Sequence, residues 1–237
     1  IHIYSTPLFQ QYYHTALQSR ITPSKIQIFY NLYIQSAEDE DRVRNIVQEQ
    51  FQHINPLVHD TSVHITSIGY PLSSIPYEQS ISAHHNEGSE LLTLHALWEY
   101  CQVNNHPEAK VVYLHSKGSY HPRSENDQMR NFLTRSALSN ECANLPESCS
   151  VCSSRMSPLP HPHTSGNMWL ARCNYIAQLF DPLQSFDDKI PPSPSGEWCR
   201  GWGRYLAEHW VHSHPSVKAC DVYPGKDYVW NYANIPT

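Results

Sequence analysis

"VVYLHSKGSYHP", residues 111–122, starts as an apolar and aromatic run and turns polar at His115, Ser116, Lys117 and Gly118. An apolar run without alternation, too short for a helix, reads as a strand buried on both faces, as in a parallel sheet covered by helices. The flanking sequence agrees. Upstream, "SELLTLHALWEYCQVNN" (89–105) sets Leu91, Leu94, Leu97 and Cys101 at helical spacing behind Ser89, a good cap. Strands are expected at 25–34 and 62–70, with a helix between them at 36–52 that opens on Ser36 and acidic residues favoured by the helix dipole. A short strand at 1–4 and a helix at 10–20 are expected before these.

Alternating strands and helices define an α/β layer structure with a Rossmann-like, mostly parallel central sheet flanked by helices. Ligands of such sheets bind outside the carboxyl ends of the strands, where His-Ser-Lys-Gly lies. The second half is less regular: a helix at 126–139, a Cys/Pro/Ser loop at about 140–164, a strand leading into a helix at 165–180, a helix at 203–215 and a last strand at "ACDVYP". No repeat or independent linker interrupts the chain, so residues 1–237 read as one domain, with halves at about 1–122 and 123–237.

Composition narrows the function classes. The 237 residues are 40% hydrophobic with a formal charge of -6, enough for a core and without the basic footprint of a nucleic-acid partner. No apolar run reaches the roughly 18–20 residues that span a bilayer, so no membrane contact is expected within this segment. The chain begins at Ile1 and reads as an excised piece. Seven cysteines, Cys101, Cys142, Cys149, Cys152, Cys173, Cys199 and Cys220, point to structural disulfides with one thiol left over. The alternatives are free buried thiols, or a zinc site in which Cys149 and Cys152 join His161 and His163.

Four stretches hold chemistry-bearing side chains. His115, Lys117 and Gly118 offer an imidazole, a cation and free backbone N–H groups to a phosphate, against the plainer reading of a turn that needs glycine at positive φ. "HPHTSGNMWLA" (161–171) brackets Gly166 with His163, Thr164, Ser165 and Asn167 and continues to Trp169. That is either a sugar-binding surface with a stacking ring or a turn beside a core tryptophan. "RYLAEHW" (204–210) sets Glu208 among aromatics, either as a general base or as a solvated helix glutamate. Asp39-Glu40-Asp41 is formally D-x-D, expected to cap a helix far from the strand tip. His209, His212 and His214 do not share one helix face, which argues against a histidine metal site.

Taken in order, the helix at 89–101, "KVVYLHSKGS", "HPHTSGNMWLARCNYIAQL" and "RYLAEHW" resemble a family of glycosyltransferases of the GT-A type, over roughly residues 86–215. The match is most specific in Ser-Gly-Asn-x-Trp-x-Ala. The resemblance implies a GT-A-like fold and transfer of a sugar from a nucleotide-diphosphate donor to a hydroxyl on a glycan or glycoconjugate acceptor. It implies that His115, Ser116, Lys117, Gly118 and Arg130 bind the donor. His163, Ser165, Gly166, Asn167 and Trp169 would line the acceptor cleft, and Glu208 would be the catalytic residue near the acceptor hydroxyl, a base if the reaction inverts the anomeric centre. The strand tip stands where metal-dependent relatives carry D-x-D, so no metal ligand is assigned and no cofactor is certain, a divalent cation (Mn or Mg) being left open. An aromatic-Arg pair of the family reads Met129-Arg130 here. The implied setting is the secretory pathway, in the Golgi or ER lumen, with the cytoplasm still open. Two other classes compete: an inactive carbohydrate-binding module on the same fold, and a zinc-dependent hydrolase.

Overall fold

The run at 110–115 is a strand, and its neighbours explain its composition. A computed structural model describes residues 25–76, 79–158, 162–184 and 205–223. The strand expected at 1–4, the helix at 10–20, most of the loop beyond Gln184, and Cys199 lie outside the described residues. In chain order the principal elements are β1 (Ile26–Ile34), α1 (Glu40–Phe51), β2 (His59–Gly69), β3 (Ile81–His85), α2 (Leu91–Val103), β4 (Lys110–His115) and α3 (Ser124–Ala137). There follow α4 (Asn140–Ala143), β5 (Val151–Ser153), β6 (Met156–Ser157), β7 (His163–Thr164), β8 (Trp169–Arg172), α5 (Cys173–Ile176), α6 (Tyr205–Trp210) and β9 (Ala219–Asp221).

Seven strands form one sheet in the order β3-β2-β1-β4-β8-β5-β9. β3, β2, β1 and β4 run parallel, β8 is antiparallel to both β4 and β5, and β5 is parallel to β9. The α/β expectation therefore holds as a mixed, mostly parallel sheet between helical layers. From β1 the chain moves outward to β2 and β3, then crosses back through α2 to place β4 on the other side of β1. The order thus reverses between β1 and β4, and the carboxyl ends of this pair are the switch point where open α/β sheets bind ligands.

Both faces are dry. Val112 and Leu114 of β4 pack with Val43, Val47 and Phe51 of α1 and with Phe132 and Leu133 of α3. Val111 and Tyr113 point the other way, toward Leu94, Leu97 and Cys101 of α2, Ile176 of α5 and Trp210 of α6. The buried positions of α1, Val43, Ile46, Val47, Gln50 and Phe51, recur every three or four residues and make the stripe that a sheet-covering helix requires. Ser89, the expected cap of α2, accepts the Leu91 N–H at 3.3 Å, but the residue at the N-cap position is Glu90.

Three sequence expectations need correction. The stretch 140–164 is not wholly loop, since it contains α4 and β5, a three-residue strand inside the main sheet. The expected helix at 203–215 ends at Trp210. The Asp39–Asp41 pair is not far from the strand tip: Arg42 bonds both Asp39 (2.7 Å) and the Ser119 carbonyl, which places that helix start beside residues 116–119. Asp39 also accepts from the Ser36 N–H and hydroxyl, so its helix-opening role stands.

Disulfides Cys101–Cys173, Cys142–Cys152 and Cys149–Cys220 fasten the antiparallel side of the sheet to its helices and to β9. Cys149 and Cys152 are therefore not zinc ligands, and among the described residues no group of three or more His, Cys, Asp or Glu side chains could hold a metal. Three bridges indicate an oxidising, secreted or lumenal environment. No helix among the described residues is long and apolar enough to cross a membrane.

Two bridges span 72 and 71 residues, so each is expected to contribute about 4 kcal/mol by restricting the unfolded chain. Urea denaturation of a Cys101→Ser/Cys173→Ser double variant should show a stability loss of that order. A midpoint equal to wild type would contradict the pairing.

Candidate active site at the switch point

The tip of β4 is locked from below. Asn31 and Ser116 tie β1 to the tip, through Ser116 N–H to the Asn31 carbonyl (3.0 Å) and Tyr33 N–H to the Ser116 hydroxyl (2.9 Å). Gln50, fully buried on α1, accepts the Tyr30 hydroxyl proton at 2.7 Å and donates to Thr134 (2.8 Å) and to the His115 carbonyl (3.2 Å). Ser116 is itself buried, so it shapes the turn rather than presenting a hydroxyl. Gly118 has φ +89°, and a Cβ there would lie 3.1 Å from Arg130 Nη1. The glycine therefore lets the chain bend and lets the guanidinium approach.

Arg130, 3% exposed, is held by Glu49 (2.6 Å), Asp127 (2.8 Å) and the Lys117 carbonyl (2.8 Å). Arg130 is buried while Glu49 and Asp127 reach solvent, at 34% and 60% exposure, and the cluster fixes the loop. Lys117 differs. Its ammonium has no hydrogen bond or ion pair among the described residues, and Lys117 is only half-buried.

The three motifs meet at one residue, Gly166. His115 Nε2 donates to the Gly166 carbonyl at 2.8 Å, Glu208 accepts the Gly166 N–H at 3.2 Å, and a Cβ on Gly166 would lie 3.8 Å from Lys117 Cε. Gly166 has φ +79°, and that Cβ would come within 2.5 Å of Leu133 Cδ1, so only glycine fits. Asn167 follows at φ +48°, the one non-glycine residue with positive φ among those described. Its side chain pins the turn, donating to Glu90 (2.9 Å) and accepting from Trp169 Nε1 (2.9 Å).

Trp169 is a core residue, not a sugar platform. It is fully buried against Tyr113 and Trp210, so no ligand can stack on it. Ser165 shares a hydrogen bond with His163 (3.0 Å), and both are half-buried at the edge of the turn. Thr164 shares one with His212 (2.7 Å) beneath it.

One central residue escaped the sequence reading. Glu90, just before α2, accepts from Tyr113 (2.9 Å) and Asn167 (2.9 Å) on Oε2, while Oε1 faces His115 Nδ1 at 3.8 Å. A glutamate at a helix start reads as a dipole complement, and nothing local marks it as more. Beside it, a cavity of about 480 Å³ opens across the ends of β1, β2 and β3, lined by Tyr33, Gln35, Gly69, Tyr70, Asn86 and Glu87 among others. A second, of about 510 Å³, lies between the starts of α1 and α3 and is lined by Arg42, Asn45, Gly118, Arg123 and Asp127 among others.

Burial is the main cause holding the His115 imidazole below its ordinary pKa, aided by Lys117 and Arg130 and opposed by Glu90 and the Gly166 carbonyl. His115 is therefore neutral at pH 7 with its proton on Nε2, because only an N–H can face a carbonyl. Burial, with His209 and His163 nearby, also lowers His212, to about 3.

A family model described as a domain of unknown function (DUF8361) matches residues 29–237. No curated protein and no solved structure matches the chain.

The histidine shifts fix a sign for pH dependence. The unfolded chain binds protons near pH 6.5, whereas folded His212 resists them down to about 3. Stability is thus complete above pH 6.5 and lost as pH falls, by about 2 kcal/mol between pH 7 and pH 5 from His212 alone. Urea midpoints measured across that range should flatten in His212→Asn, and an identical slope in the variant would contradict this.

Proposed function

The chain belongs to the DUF8361 family, and from the geometry of its switch-point site we propose a GT-A-type glycosyltransferase. It moves a sugar from a nucleotide-diphosphate donor to a hydroxyl of a glycan or glycoconjugate. One observation carries this reading: His115 and Lys117 of the β4 tip and Glu208 of α6 converge on Gly166 at the carboxyl edge of a parallel sheet. Such an edge takes nucleotides in many α/β proteins because helix starts and loop N–H groups gather there.

In this reading the nucleoside occupies the cavity at the ends of β1–β3, whose volume falls in the about 300–1,000 Å³ range of small-ligand sites. Tyr33 and Tyr70 offer ring faces to a base, and Gln35, Asn86 and Glu87 offer hydrogen-bonding groups to base and ribose. The diphosphate lies against Lys117, whose ammonium neutralises the negative charge that grows on the leaving oxygen. Arg130 supports that loop from beneath. The sugar faces the turn at His163–Asn167, with Gly166 and Ser165 closest to the cleft.

Glu208 stands on the far side of the turn from His115. In an inverting displacement it takes the proton of the acceptor hydroxyl. The acceptor oxygen then bonds to the anomeric carbon, and the C–O bond to the diphosphate breaks with its electron pair leaving on the phosphate oxygen. In a retaining reaction Glu208 orients the acceptor only. The three disulfides suit a lumenal setting such as the Golgi or ER.

Lys117→Ala should lower donor turnover by about 100- to 1,000-fold while leaving the thermal transition in place, since the ammonium has no partner among the described residues. Glu208→Gln should lower transfer by about 100-fold or more if the reaction inverts. Wild-type rates in Lys117→Ala, measured as nucleoside diphosphate released from a nucleotide sugar, would overturn the assignment. Glycan binding without any donor turnover would identify a carbohydrate-binding module instead.

A further inference from the structure

We propose that the cavity between the starts of α1 and α3 binds an anionic substituent of the glycan acceptor, a carboxylate or a sulfate, through Arg123 and Arg42. The anion site is argued from the chain alone; calling its occupant an acceptor rests on the transferase reading above.

The cavity, of about 510 Å³, takes arginines from three segments: Arg42 of α1, Arg123 of the loop before α3, and Arg130 of α3. Their commitments differ. Arg130 is occupied by Glu49, Asp127 and the Lys117 carbonyl. The bonds of Arg42 to Asp39 and to the Ser119 carbonyl both leave from Nη2, so its Nε and Nη1 have no partner among the described residues. Arg123 is exposed, and its guanidinium makes no hydrogen bond or ion pair among the described residues. Asp39, Glu49 and Asp127 balance the charge of the three arginines. What the cavity offers an anion is therefore directed N–H donors rather than a net field. A guanidinium presents those donors as a planar fork that fits two oxygens of one oxyanion.

The position of the cavity ties it to the switch-point site. Arg130 lines it and bonds the Lys117 carbonyl, while Leu133, three residues further along α3, lies against the Gly166 turn. Cavity and turn are thus neighbours on one helix, about 5 Å apart along its axis. An exposed aromatic ledge borders the cavity. Tyr120, 51% exposed, stands edge-to-face with Tyr33 at 5.6 Å and with His121 at 4.2 Å. Tyr33 lines the cavity given above to the nucleoside, whereas Gly118 and Arg123, on either side of Tyr120 in sequence, line this one. A half-exposed tyrosine offers an apolar ring face to a sugar and keeps its hydroxyl in water. A sugar resting on Tyr120 brings its substituents to Arg123, three residues on.

The direct test is calorimetric titration of the whole chain with matched oligosaccharide pairs. A galacturonate tetramer is compared with its methyl ester, which keeps the sugars and removes the charge, and a sulfated galactose tetramer with its desulfated form. In at least one pair the charged member should bind about tenfold or more tightly than the neutral one, and the pair that responds tells carboxylate from sulfate. The preference should vanish in Arg123→Gln, with the thermal midpoint unchanged because that guanidinium has no partner among the described residues. Tyr120→Ala should weaken both members of the responding pair alike, by about threefold or more, since stacking does not read charge. Absence of any preference in both pairs, a preference that survives Arg123→Gln, or full affinity in Tyr120→Ala would overturn the proposal. Preference for a charged member without turnover of any nucleotide sugar keeps the anion site and removes the transferase. Transfer to neutral acceptors as fast as to charged ones keeps the transferase and removes the anion site.

Discussion

Gly166 is held on both sides, its carbonyl by His115 and its N–H by Glu208, and the candidate site depends on that clamp. The residue joins the tip of a parallel strand, a tight turn from the antiparallel side of the sheet and a late helix. None of these is a neighbour of another in sequence. The left-handed backbone at Gly166 and Asn167 is sustained because every side of the turn is tied down: Asn167 to Glu90, Trp169 to Asn167, and Thr164 to His212. Strained backbone of this kind persists where its surroundings over-determine it, as functional sites do.

The layers beneath explain why the clamp is rigid. β4 is dry on both faces, and its last carbonyl is bonded by a buried glutamine that also binds Tyr30 and Thr134. The Arg130–Glu49–Asp127 cluster fixes the loop beyond it. Three disulfides tie β5, β9 and α5 to neighbouring elements on the side of the sheet that carries the Gly166 turn. Rigid support leaves the Lys117 ammonium, without a partner among the described residues, at the tip of β4.

Much of this was legible in the sequence, for reasons that can be named. Residues 111–114 could be read because a buried strand has no polar alternation, and α1 because Ser36 and the acidic residues after it mark a helix start. The strand tip, the Ser-Gly-Asn turn and Glu208 were each found, but a linear sequence could not say that they touch. Trp169 was misread because an aromatic beside a polar glycine turn has the same pattern whether it faces a sugar or a core. β5 was missed because three residues, Val151–Ser153, are too few for any period. Six paired cysteines permit fifteen connectivities, so the bridges had to come from the fold. Glu90 was invisible because its importance lies in three long-range contacts.

The central claim is that the switch-point site binds a nucleotide sugar, and a thermal-shift screen of nucleotide sugars tests it most directly. A ligand present at about 100 times its Kd stabilises the fold by about 2.7 kcal/mol, enough to raise the midpoint by several degrees. At least one nucleotide sugar should produce that shift in the wild-type chain, with the corresponding free sugar producing none. A screen across all common nucleotide bases and sugars, with and without Mn²⁺, that moves the midpoint nowhere would contradict the account.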